Sequence, residues 1–122
     1  MRQHARRSPF VLLAVAAAAR LALAHAVLTK ATLDADTVKA NTATTVVLTF
    51  NSRIEPAFTK IVLVDAARAE RPVTSRPRER PSEVEVDLPA LSAGPYGLRY
   101  RVLAADGHVT ESLLRFRVVP AD

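Results

Sequence analysis

The 122-residue chain contains no cysteine and no tryptophan, and its one methionine is Met1. No disulfide can hold it together, and no thiolate can bind a metal or attack a substrate. A thioether ligand is available only at Met1. Aromatic residues are scarce, at 5% of the chain. No segment sustains the 3.6-residue apolar period of an amphipathic helix. Long apolar runs are also missing. Phe10 to Ala19 is uninterrupted for ten residues, whereas a bilayer-spanning helix needs roughly 20.

Acidic residues are absent from the first 24 positions, which carry Arg2, Arg6, Arg7 and Arg20. A basic head, a short apolar middle and Ala22-Leu23-Ala24 together describe a secretory signal peptide over 1–24, cleaved after Ala24. An uncleaved anchoring helix is the competing reading. Arg6-Arg7 followed by Phe10 leaves both the general and the twin-arginine export routes open.

Cleavage changes the charge balance. Residues 25–122 retain thirteen basic against twelve acidic side chains, a net charge of +1, although the whole chain stands at +5. Nucleic-acid binding therefore loses its compositional support. The remaining 98 residues suffice for one domain with one modest core, held by packing alone.

That domain reads as strand after strand. Residues 44–50 place Val46, Leu48 and Phe50 on one face. Residues 60–66 form a continuous apolar run, as in a strand covered on both sides. Residues 82–89 alternate Val84, Val86 and Leu88 with Glu83, Glu85 and Asp87. Residues 96–104 turn Tyr96, Leu98, Tyr100 and Val102 inward and Arg99 and Arg101 outward. Residues 112–119 turn Leu114, Phe116 and Val118 inward and Arg115 and Arg117 outward. This is the period-2 pattern of half-buried strands. A first strand over about 26–32 and a short one near 71–75 bring the count to about seven. The expected fold is all-β, a Greek-key sandwich or barrel. The Arg- and Pro-rich stretch 67–81 is expected to be a solvated loop protecting an edge.

Two histidines remain after cleavage, His25 and His108. His25 becomes the first residue, where a free α-amine and an imidazole can chelate one metal ion together. Asp106-Gly107-His108 follows the strand 96–104, and in extended chain Asp106 and His108 point to the same side. Gly107 lets the backbone bend. An isolated Asp-x-His is weak, since Asp-Gly is a common turn. With His25, however, the set becomes three nitrogens and one oxygen, which suits Cu(II), then Ni(II), with Zn(II) possible.

The chain resembles the CopC-type periplasmic copper-binding, copper-resistance proteins. The resemblance begins at "HAVL" after the cleavage site and continues through "VVLTFNSRIEPAFTKIVLVDA". It culminates in "LSAGPYGLRYRVLAADGHVTESLLRFRV". It implies an immunoglobulin-like, cupredoxin-like β-barrel with one Cu(II) per chain, held by the amine and imidazole of His25 with Asp106 and His108. It also implies a soluble, monomeric periplasmic carrier or buffer that exchanges copper with a CopD-type membrane transporter and catalyses nothing.

Departures from the family pattern are specific. Leu33-Asp34-Ala35-Asp36 replaces the usual turn after the first strand. Ser52 stands where some members place a glutamate near the metal, leaving Glu55 as a remote substitute. Glu111 replaces a usual glycine and Tyr100 a usual tryptophan. No Met-rich segment exists, so the resemblance is to the branch that binds Cu(II) only. Two other functions compete. A metal-free immunoglobulin-like module would show no stabilisation by copper, and a mononuclear copper oxygenase would need an open coordination face and an aromatic substrate surface.

Overall fold

The computed structural model describes residues 26–33 and 38–122. The expected signal peptide over 1–24 lies outside them. Among the described residues eight strands form, in the order β1 Leu28–Ala31, β2 Thr44–Phe50, β3 Lys60–Val64, β4 Glu70–Pro72, β5 Thr74–Pro77, β6 Glu83–Leu88, β7 Gly94–Leu103 and β8 Val109–Val118. They make two antiparallel sheets, β1-β2-β6-β5 and β4-β3-β7-β8. The path from β2 to its neighbour β6 runs through the opposite sheet, as a Greek key requires. Among the described residues no helix is long and apolar enough to cross a membrane.

Alternation decides which faces meet. Val46, Leu48 and Phe50 of β2 and Val84, Val86 and Leu88 of β6 are buried, as are Leu98, Tyr100 and Val102 of β7. They interdigitate with Ile61 and Leu63 of β3 and with Phe116 and Val118 of β8 in one core. Each fully buried Leu or Val contributes about 1.5–3 kcal/mol over its exposed state. Phe50 and Tyr100 meet edge to face across the sheets at 5.4 Å. Tyr96 and Leu114, expected inside, are only half-buried at the margin of this core. Tyr96 stacks on Phe116 at 5.9 Å, and its hydroxyl donates to the Ser92 carbonyl at 2.9 Å.

Two expectations need correction. The stretch 67–81 is not a loop: it supplies both β4 and β5, one edge strand to each sheet. Only Val73 separates them, and it packs against the core where the chain crosses over. Pro72 and Pro77 fit because an edge strand can spare a ladder N–H. Strand β3 ends at Val64, two residues early. Asp65 Oδ1 accepts the N–H groups of Ala67 and Ala69, both at 2.9 Å, and turns the chain. Val62 in β3 is half-buried, so that strand is not covered evenly on both faces.

Candidate metal centre

The hairpin β7–β8 is the longest paired element, in register from Gly94↔Val118 to Leu103↔Val109. Its loop carries Asp106, Gly107 and His108. The Gly107 N–H donates to the Ala104 carbonyl at 3.0 Å, and the Ala104 N–H to the His108 carbonyl at 2.9 Å. Gly107 has φ +83°. These bonds define a three-residue loop with a left-handed glycine at its bulge, where a Cβ is disfavoured. Space is not the constraint, because a Cβ added at Gly107 meets nothing within 4 Å.

The turn, not an extended strand, brings Asp106 and His108 together. Asp106 Oδ1 accepts the His108 backbone N–H at 2.9 Å, and Oδ2 faces His108 Nδ1 at 2.9 Å. A carboxylate can only accept, so Nδ1 carries the proton and the imidazole lone pair sits on Nε2. The Asp106 side chain is 20% exposed and the His108 side chain 65% exposed. The acid is sheltered in the turn while the imidazole is presented outward. The carboxylate stands on the Nδ1 side of the ring, so one ion can meet both residues only through Oδ2 and Nδ1, with the Nδ1 proton displaced.

Strand β1 and the segment after β2 come to the same end of the sandwich. Val27 donates its N–H to Asn51 Oδ1 at 2.8 Å and accepts the Asn51 N–H at 2.9 Å. The neighbouring Ser52 Oγ lies 3.5 Å from the Ala105 N–H, at the long end of a hydrogen bond. Ile54 bridges Ala104, and the Glu55 N–H donates to the Leu103 carbonyl at 3.0 Å. Thus Ala26, fully buried, is anchored beside the loop that carries Asp106 and His108. His25 lies outside the described residues. Among those residues, no group of three or more His, Asp or Glu side chains is gathered at one point.

The bond between Asn51 and Val27 spans 24 residues. No local periodicity records such a contact. Ser52 stands beside the loop, but its hydroxyl donates to the Arg53 carbonyl at 3.0 Å. The Glu55 carboxylate faces Arg53 at 3.9 Å.

Comparison with known proteins agrees with this architecture. The CopC domain family profile matches residues 28–119. The crystal structure of CopC from Methylosinus trichosporium OB3b superposes with a TM-score of 0.68 at 30% identity, over 80% of this chain and 97% of that one. PcoC, a copper resistance protein from Escherichia coli, gives 0.59 at 21% identity over 75% and 98%. A second structure of that protein, described as methionine-rich, gives 0.56 at 23% identity over 77% and 98%. The two PcoC structures share the fold. No curated protein sequence gives a significant match. The match over residues 28–119, with the sandwich and the Asp106–His108 hairpin in place, makes this chain a member of the CopC domain family.

Proposed function

We propose that the chain is an exported Cu(II)-binding protein that carries or buffers copper in the periplasm. One Cu(II) per chain is held by the α-amine and imidazole of His25, the imidazole of His108 and the carboxylate of Asp106. The observation that carries this reading is the two-point clamp of Asp106 on His108, both contacts at 2.9 Å, beside the anchored start of β1. A carboxylate oxygen and an imidazole nitrogen 2.9 Å apart stand at the spacing of two adjacent ligands on one metal ion. His25 precedes Ala26 directly, so the anchored chain delivers it within one Cα step, about 3.8 Å, of a fixed point at this end of the sandwich.

Family membership supports copper as the cargo, because the relative from Escherichia coli, PcoC, is a copper resistance protein. The donor set supports the oxidation state. Nitrogen and oxygen donors without sulfur suit Cu(II), whereas Cu(I) prefers thiolate or thioether ligands. Processing after Ala24 is part of the proposal, since only a free amine at His25 completes the chelate. The family profile begins at Leu28, so residues 1–24 are no part of the match. With these donors around one ion, the role is binding without catalysis, in a soluble monomer that exchanges copper with a CopD-type membrane transporter.

A mass spectrum of the exported protein, with and without one equivalent of Cu(II), tests the proposal. The expected masses are those of a chain beginning at His25 and of the same chain with one copper ion. A mature chain that begins elsewhere, or that takes up no copper, overturns it.

A further inference from the structure

The outer face of the sheet β4-β3-β7-β8 carries an excess of positive charge that the protein leaves uncompensated. Lys60 of β3 stands directly opposite Arg101 of β7, and Arg99 lies two residues along from Arg101 on the same face. Arg115 and Arg117 of β8 extend the face beside Gly97 and Pro95. All five cationic residues are exposed. Two carboxylates share the face. Glu70 holds Arg99 at 3.4 Å, and Glu111 stands opposite Arg101 in register. Like charges directly opposite across strands repel, and Glu111 on the other side of Arg101 offsets only one of the cations in the Lys60–Arg101 pair.

The other sheet is treated differently. The acidic side chains of β6, Glu83, Glu85 and Asp87, are matched by Arg76 and Arg78 of β5. Arg76 lies 2.7 Å from Glu85 and 2.6 Å from Asp87, and Arg78 lies 3.0 Å from Glu83. With Arg80 also 3.9 Å from Glu83, this acidic stripe is already matched, so among the described residues β6 offers a second copy no unpaired acidic face.

The shape of the cationic face narrows the partner. The charges spread over three adjacent strands, roughly 10 Å across and 20 Å along, instead of converging on one point. At the centre is an apolar spot, where Leu113 lies over Gly97 so closely that a Cβ there would meet its Cδ1 at 2.6 Å. Leu113 remains 37% exposed, and the half-buried Val62 lies on the far side of Arg99, one strand away. A flat array of cations around a small apolar centre complements a layer of anionic headgroups over hydrocarbon.

We infer that this sheet face docks the protein on an anionic phospholipid surface. The loop with Asp106 and His108 lies at the end of β7 and β8, not on their outer face, so docking leaves it at the rim of the contact. This inference stands on the charge pattern and does not depend on which metal the loop binds.

The test is sedimentation with phosphatidylcholine vesicles, with and without phosphatidylglycerol, at low and at physiological salt. The protein should bind only the phosphatidylglycerol-containing vesicles and should release as salt screens the charges. At about 1 kcal/mol per cation, the triple variant Arg101→Gln, Arg115→Gln, Arg117→Gln should lose on the order of a hundred-fold in affinity. The corresponding Arg→Lys triple should retain binding, and Arg53→Gln with Arg80→Gln, on the side of the other sheet, should bind as the parent does. All variants keep the same N-terminal segment, so the difference cannot come from it. Equal binding to both vesicle types, no binding to either, or undiminished binding by the Gln triple would overturn the inference.

Discussion

Asp106 holds His108 with both of its carboxylate oxygens, one on the backbone N–H and one on Nδ1, each at 2.9 Å. One residue thereby sets the path of the hairpin loop and the direction of the imidazole lone pair. Replacing it by Asn tests both functions at once. An amide carries no charge, and its N–H facing Nδ1 occupies that nitrogen's lone pair, so both residues become poorer metal ligands. Asp106→Asn should weaken Cu(II) binding about 10–100-fold, measured by competition titration. Asp106→Ala should weaken it at least as much and also cost about 1 kcal/mol of stability through the lost backbone bond. His108→Ala should abolish strong binding and leave thermal unfolding of the copper-free protein unchanged.

Asn51 is expected to matter through Val27. Asn51→Ala removes the side-chain acceptor at 2.8 Å, a bond worth about 1 kcal/mol. The start of β1 then samples positions away from the loop. Copper affinity should fall about five-fold, while the sandwich, whose core residues lie elsewhere, keeps its circular-dichroism spectrum. Unchanged affinity would show that the anchor does not position the first residue.

Gly107 is required by its backbone angle and not by crowding. Gly107→Val places a β-branched residue in the left-handed region and should cost about 1–2 kcal/mol, seen as a lower denaturant midpoint. Because the strained loop carries Asp106 and His108, copper affinity should fall with it.

Asp87 gives the fold an acid-sensitive contact away from the metal loop. The Arg76 guanidinium, which hydrogen-bonds both its oxygens, and then the Thr45 hydroxyl hold its carboxyl below the ordinary carboxylate range. A depressed folded-state value means that the unfolded chain binds the proton more readily. The contribution is fully present above the unfolded value, about 3.9, and is lost as pH falls through the lower folded one. Asp87→Asn should therefore reduce stability at neutral pH and flatten its decline in acid. An identical acid limb in both proteins would contradict this.

The strands that carry the core were legible because burial on one face imposes alternation. Val46, Leu48 and Phe50, and likewise Leu98, Tyr100 and Val102, point inward as their spacing requires. Asp106 and His108 were legible as a pair, but the reason was not. An extended chain would have set them side by side, whereas the loop folds the carboxylate back onto the histidine. Residues 67–81 hid two edge strands because edge strands bury little, and the exposed Arg76 and Pro77 of β5 carry no inward period. The Val27–Asn51 and Ser52–Ala105 contacts join segments distant in sequence, and only the packed sandwich shows them.

The account rests on a copper site built from an N-terminal histidine and a hairpin histidine. The most direct measurement is the electron paramagnetic resonance spectrum of the exported protein with one equivalent of Cu(II), read for its nitrogen couplings. Three coordinated nitrogens are predicted: one amine, the His25 imidazole and the His108 imidazole. A spectrum with a single coordinated nitrogen, or that of hydrated copper, would contradict it.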